Sequence, residues 1–155
     1  PSWGHTKGMF LMLARRLVLV LPLAFLAAGT ALRLMRPAQA RPTLDAETAF
    51  QRVGAGDLLL VDIRQPEEWA TTGSPAGAHR LDLRSADFLD RLAALVEGDR
   101  GRSIALICAS GGRSARTAQA VADAGFTDVL DVSEGMLGSS AGPGWIARGL
   151  PVVSD

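Results

Sequence analysis

Three short apolar runs constrain the fold of this chain more than any other feature of its sequence. They read LLLVDI from Leu58, SIALIC from Ser103 and DVLDV from Asp128. Each run has the length of a strand and lacks the alternation of apolar and polar residues that a half-exposed strand shows. Near-continuous runs of this kind are typical of parallel strands that are buried on both faces of a sheet.

Segments with helical periodicity accompany these runs. Residues 44–53, 85–96 and 113–125 carry apolar side chains at the spacing of one helix face. Thr43 and Ser85 are the expected N-caps of the first two helices. Strands that alternate with helices predict an α/β fold, in which a parallel sheet is covered by helices on both faces.

The first forty residues differ in character from the rest of the chain. Residues 17–32 contain no charged side chain, arginines flank them on both sides, and the sequence Ala-Gln-Ala ends at Ala40. A basic start, an apolar middle and an A-x-A end are typical of a secretory signal peptide. We therefore expect residues 1–40 to be a leader, which is either cleaved after Ala40 or retained as a membrane anchor through residues 17–32. Residues 41–155 would then form a domain that is exported to the periplasm or held at the membrane.

Charge and composition exclude several classes of function. The chain has 16 basic and 16 acidic side chains and only 5% aromatic residues, so it lacks the basic excess and the stacking surfaces of nucleic-acid binding proteins. Its one cysteine, Cys108, can form neither an internal disulfide nor a C-x-x-C pair. The two histidines, His5 and His79, are too far apart to suggest a metal site, and we expect no metal or cofactor.

The single cysteine stands at the end of an apolar run, where parallel sheets bind their ligands. Small residues and then a basic one follow it: Ala109, Ser110, Gly111, Gly112, Arg113 and Ser114. Small residues allow successive backbone N–H groups to converge on an anion, and the next helix adds a positive end of roughly half an elementary charge. Such surroundings favour the nucleophilic thiolate. A lone cysteine among apolar residues is otherwise a small buried hydrophobe, but the order of strand, cysteine, small loop, arginine and helix favours a reactive one.

Three stretches of the sequence resemble the rhodanese-like sulfurtransferases, and together they extend over nearly all of residues 44–154. LLLVDIRQPEEWATTG resembles that family's first diagnostic strand and turn. LICASGGRSARTAQAVADAGFTDVLDVSEGM resembles its active-site loop, the following helix and the next strand. GWIARGLPVV resembles its C-terminal signature. The resemblance implies an open five-stranded parallel sheet flanked by helices on both faces.

The resemblance also implies a chemistry. Cys108 would be the nucleophile that takes the outer sulfur from a small donor such as thiosulfate, becomes a persulfide and passes the sulfur to a thiol acceptor. The residues expected to hold the donor are those of the loop, Ala109, Ser110, Gly111, Gly112, Arg113 and Ser114. The alternative is a rhodanese-like module in the cell envelope that carries or binds sulfur without turnover.

The length of the loop bears on the reaction. Cys108 and Arg113 have C-x4-R spacing, whereas related phosphatases use C-x5-R, where one more residue widens the cradle for a phosphoryl group. Ser114 occupies the C-x5 position here. The spacing therefore favours sulfur transfer over phosphate chemistry.

Two segments depart from the family pattern. The turn GSPAGA, residues 73–78, has Ser74 where the family usually has histidine, and its proline is displaced. The segment 135–145 is long and rich in glycine, and we interpret it as a surface loop or as a lip over the cysteine pocket.

Four charged residues admit two interpretations. Asp62 and Arg64 either form an internal ion pair at the end of a strand or orient groups of the site. Glu67 and Glu68 follow Pro66 at an expected helix start, where they compensate the helix dipole better than they serve as paired acid–base carboxylates.

Overall fold

A computed structural model describes residues 41–154 of the chain. Its elements in chain order are β1 (Thr43–Leu44), α1 (Ala46–Ala55), β2 (Leu59–Asp62), α2 (Pro66–Thr72), β3 (Ser74–Pro75), β4 (His79–Arg80), α3 (Phe88–Leu95), β5 (Ile104–Ile107), α4 (Gly112–Asp123), β6 (Val129–Val132), α5 (Gly144–Ala147) and β7 (Val152–Val153).

The main sheet has five strands in the order β1-β6-β5-β2-β4, and all of its pairs are parallel. The three predicted apolar runs are β2, β5 and β6, and every residue of these three strands is buried. β5 lies at the centre of the sheet, with Leu106 opposite Val61 of β2 on one side and Asp131 of β6 on the other. The predicted five-stranded parallel sheet is thereby confirmed. β3 and β7 form a separate antiparallel pair.

Helices cover both faces of the sheet, as predicted. On one face, Phe88 and Leu92 of α3 and Val121 of α4 pack with Leu106 of β5 and Cys108. On the other face, Ala46 and Ala49 of α1 and Trp145 of α5 pack against a second set of strand side chains, which includes Leu60, Ala105 and Ile107. Burial of these side chains, at about 25 cal/mol for each Å² of apolar surface, is the main term that holds the layers together.

Both predicted N-caps are wrong. Asp45 caps α1, because its Oδ1 accepts a hydrogen bond of 2.7 Å from the N–H of Thr48. Thr43 is instead paired with Asp131 of β6, so it belongs to the sheet. α3 begins three residues after Ser85, whose carbonyl oxygen accepts a turn hydrogen bond from the N–H of Phe88.

The predicted leader, residues 1–40, lies outside the described residues. Its cleavage after Ala40, its role as an anchor and the export of the domain stay predictions. Within residues 41–154, the helices are too short or too polar for any of them to cross a bilayer.

Candidate active site

Cys108 follows directly on the central strand β5, and α4 begins four residues later at Gly112. The N–H of Ile63 donates to the carbonyl oxygen of Ile107 at 3.0 Å, which extends the β2–β5 pairing up to the cysteine. The loop 108–111 therefore starts from a rigid point at the carboxyl edge of the sheet, where ligands of open parallel sheets bind.

A second turn, residues 133–137 after β6, fixes the backbone of the cysteine loop. The N–H of Met136 donates to the carbonyl oxygen of Cys108 at 2.9 Å, and the N–H of Leu137 donates to that of Ala109 at 2.8 Å. The two backbones approach so closely that a Cβ on Gly135 would stand 2.6 Å from the carbonyl oxygen of Ala109. A Cβ on Gly111, which has a φ of +80°, would collide with the carbonyl oxygen of Ser133.

Substitutions of the two adjacent glycines are expected to differ sharply. Gly111→Ala should lower the free energy of unfolding by at least about 2 kcal/mol, because alanine is strained at the left-handed φ of this position and its Cβ collides with the backbone of Ser133. Gly112→Ala is the matched control: a Cβ there meets no atom within 4 Å, so that variant should be as stable as the wild type or more stable. Urea unfolding of both variants measures the difference, and equal losses would contradict the expectation.

Ser114 donates two hydrogen bonds to the sulfur of Cys108. Its backbone N–H lies 3.4 Å and its hydroxyl oxygen 3.3 Å from Sγ of Cys108. The same hydroxyl also lies 3.0 Å from the carbonyl oxygen of Gly111, so its single proton can be given to either acceptor. Donors at this range stabilise negative charge on sulfur.

The rest of the loop offers further donors. The backbone N–H groups from Ala109 to Arg113 have no hydrogen-bond acceptor within the part of the chain that the structure describes. Ser110 and Gly112 are exposed, and Ala109 is half-buried. Consecutive N–H groups without acceptors at the start of a helix form a site that suits an anion.

Arg113 is held by a carboxylate from another element. Its two terminal nitrogens donate to the two oxygens of Glu68 at 2.8 and 2.5 Å, and both side chains are 30% exposed. These hydrogen bonds lower the pKa of Glu68 and raise the pKa of Arg113, and the interaction of Arg113 with the side chain of Cys108 raises the Arg113 pKa further. Glu68 does stand in the first turn of α2, as predicted, where its Oε2 also accepts from the N–H of Gln65 at 3.1 Å. Its pairing with Arg113 was not predicted.

Asp131 is a second residue that the sequence reasoning missed. It lies on β6 beside Leu106, it is buried, and its Oδ1 has no hydrogen-bond partner among residues 41–154. Burial raises its pKa, and a hydrogen bond with the side chain of Ser114 opposes that rise. The signal available in the sequence was an acidic residue in the middle of the run DVLDV.

The thiol itself is covered. Cys108 is 1% exposed and belongs to the core on the α3–α4 side of the sheet. Its Sγ is therefore not on the surface. Any reagent must therefore approach through the loop and its surroundings.

The other segments that the sequence singled out have structural roles. Asp62 and Arg64 form an internal ion pair, the first of their two interpretations, with Nη2 and Oδ2 2.7 Å apart and both side chains buried. Ser74 belongs to β3 and accepts a hydrogen bond of 2.8 Å from Nε of Arg80. The glycine-rich segment 135–145 is tied down at one end, because the buried Glu134 accepts from the N–H of Gly144 at 3.1 Å.

Comparisons with the sequences of known proteins agree with this architecture. The family model for the rhodanese-like domain matches residues 45–141. A sulfurtransferase of Allochromatium vinosum is 28% identical over 116 residues, which cover 72% of this chain and 94% of that protein. An uncharacterised protein of Rickettsia prowazekii is 30% identical over 99 residues, which cover 60% of this chain and 80% of the relative.

Solved structures share the fold at lower identity. The rhodanese-like domain of an Anabaena protein superimposes with a TM-score of 0.60 at 22% identity, over 74% of this chain and 80% of that one. A thiosulfate sulfurtransferase of Pseudomonas aeruginosa also has a TM-score of 0.60, at 24% identity, but the match covers only 20% of its chain. At these identities the similarity shows the fold alone.

Proposed function

Because the chain belongs to the rhodanese-like domain family, we propose that it is a sulfurtransferase in which Cys108 carries the transferred sulfur. In the first step the Cys108 thiolate attacks the outer sulfur of a donor such as thiosulfate. The sulfur–sulfur bond of the donor breaks, sulfite leaves with the bonding electron pair, and Cys108 becomes a persulfide. In the second step a thiolate acceptor, or cyanide in the test tube, attacks the outer sulfur of the persulfide. The sulfur–sulfur bond breaks, the acceptor leaves as a persulfide or as thiocyanate, and the bonding electron pair stays on Cys108 as the thiolate.

One observation carries this proposal: the only thiol of the chain begins a loop at the carboxyl edge of the sheet, and the next five backbone N–H groups of that loop have no acceptor among residues 41–154. The N–H and hydroxyl of Ser114 would stabilise the thiolate and then the persulfide. The N–H groups of residues 109–113 would hold the anionic end of the donor, and the guanidinium of Arg113, which is paired with Glu68, would lie beside them.

The experiment that tests the proposal is sulfur loading followed by intact-mass measurement. The purified protein should gain the mass of one sulfur atom on treatment with thiosulfate, and cyanide should remove that atom as thiocyanate. Failure of both reactions would remove the activity.

Arg113→Ala is expected to slow sulfur loading strongly while changing the free energy of unfolding little. The variant should lose about a hundredfold in the rate of loading from thiosulfate, because it removes a positive charge and leaves the Glu68 carboxylate unpaired at the site. Because both side chains are 30% exposed, the ion pair should contribute less than about 1 kcal/mol to the free energy of unfolding. Loading rates and urea unfolding of the variant and the wild type measure the two losses. If the loss in loading rate is no larger than the loss in the free energy of unfolding accounts for, Arg113 is a structural residue.

The burial of Cys108 favours a second candidate, a module that binds or carries sulfur without turnover. With 1% of the residue exposed, a sulfur bound to Sγ would be sheltered from small thiols in solution. A persulfide that forms on Cys108 but is not removed by either cyanide or excess small thiol would support this candidate and exclude turnover.

A further inference from the structure

The ion pair of Glu68 and Arg113 places a carboxylate on the arginine that follows the cysteine loop. Both terminal nitrogens of the Arg113 guanidinium are engaged, at 2.8 and 2.5 Å, by the two oxygens of one carboxylate. In such a bidentate pair, the two N–H groups of Arg113 that could donate to two oxygens of a ligand donate to Glu68 instead. The positive charge that Arg113 brings to the loop is therefore cancelled by a residue of α2.

Glu68 is held in this position from several sides. Its Oε2 accepts from the N–H of Gln65 as well as from Arg113, and the charge of the nearby Arg64 also lowers its pKa. A lowered pKa means that the carboxylate stays ionised at neutral pH. A donor that carries two negative charges must either displace this carboxylate from Arg113 or bind beside it.

We propose that Glu68 selects the sulfur donor by charge, disfavouring dianions such as thiosulfate and favouring organic donors that carry at most one negative charge. The inference rests on the proposed sulfur transfer and specifies the substrate class of that site. The N–H groups of residues 109–113 can hold one anionic group without Arg113. An additional charge on the donor would meet the Glu68 carboxylate at close range, in a site only partly open to water.

For such a donor the reaction balances as it does for thiosulfate. With an organic thiosulfonate, R–SO2–S⁻, the Cys108 thiolate bonds to the outer sulfur and the sulfur–sulfur bond breaks. The sulfinate R–SO2⁻ then leaves with the electron pair. With an organic persulfide the leaving group is the thiolate RS⁻, which takes up the proton that the donor's outer sulfur carried.

Two donors of nearly the same shape test the proposal. Thiosulfate and methanethiosulfonate differ in that a methyl group replaces one charged oxygen, so they differ chiefly by one negative charge. The rate at which each loads Cys108 of the full chain is followed by intact mass. The ratio of the two rates is then compared between proteins, which cancels the intrinsic reactivity of the donors.

In Glu68→Gln the thiosulfate rate should rise about tenfold relative to the methanethiosulfonate rate. Glu67→Gln is the matched control: it makes the same change one residue earlier, at a side chain that is 75% exposed and lies 3.8 Å from Arg84. The ratio in this control should equal that of the wild type. An unchanged ratio in Glu68→Gln, or a fall in its thiosulfate rate, would overturn the selection by charge while leaving sulfur transfer intact.

A wild-type protein that loads from neither donor would remove the proposed function, and this inference with it.

Discussion

Cys108→Ser is expected to abolish sulfur loading completely. A serine oxygen cannot form the persulfide on which both steps of the proposed transfer depend, and no other cysteine exists in the chain to replace it. After incubation with thiosulfate the variant should keep its unmodified mass, while the wild type gains one sulfur atom. Thiocyanate formation from cyanide should fall to the rate of the uncatalysed reaction.

The absence of a sulfur adduct is informative only if the variant folds. Serine is slightly smaller than cysteine, and its hydroxyl can receive the N–H of Ser114 that Sγ receives in the wild type. We therefore expect a urea midpoint close to that of the wild type. A sulfur adduct on the serine variant would place the sulfur on another residue, and the role assigned to Cys108 would be wrong.

The parts of this architecture that could be predicted are those in which a local pattern decides the outcome. β2, β5 and β6 are apolar on both faces, and this pattern is typical of buried parallel strands. The order of strand, cysteine, small loop and helix predicts that Cys108 lies at the carboxyl edge of the sheet, and the structure has it directly after β5. β1 was beyond this reasoning, because two residues carry no periodicity and only their pairing with β6 makes them a strand.

The contacts that define the site chemically depend on residues far apart in the chain. Glu68 and Arg113 are 45 positions apart in the chain. Each residue is already explained by its own segment, Glu68 by the start of a helix and Arg113 by an anion-binding loop, so nothing in the sequence indicates that they pair. Asp131 comes beside the site only because β6 is the neighbour of β5. Patterns within a segment carry no information about such pairs, so the charge of the site could not be read from the loop alone.

Asp62→Ala is expected to be the most destabilising of the substitutions considered. Asp62 accepts hydrogen bonds from Nε of Arg64 at 2.9 Å and from its Nη2 at 2.7 Å, and both side chains are buried. Among the described residues, the hydrogen-bond partners that the variant leaves to the buried guanidinium are neutral: the hydroxyl of Thr72 and the carbonyl oxygens of Glu68 and Gly73. Loss of one member of a buried ion pair costs about 3–5 kcal/mol in the free energy of unfolding.

The chain contains its own control for this prediction. Asp82 and Arg84 repeat the Asp-x-Arg spacing, and Asp82 accepts from the backbone N–H of Arg84 at 2.9 Å and from its Nη2 at 3.0 Å. The Arg84 side chain is 56% exposed, so water can solvate the charge that Asp82→Ala leaves behind. Urea unfolding should therefore show a far smaller loss for Asp82→Ala than for Asp62→Ala. Similar losses would mean that the bonding pattern, and not the burial of the charges, determines what such a pair contributes.

If Asp62→Ala does not fold, Asp62→Asn preserves the shape and removes the charge. Its free energy of unfolding should be below that of the wild type and above that of the alanine variant.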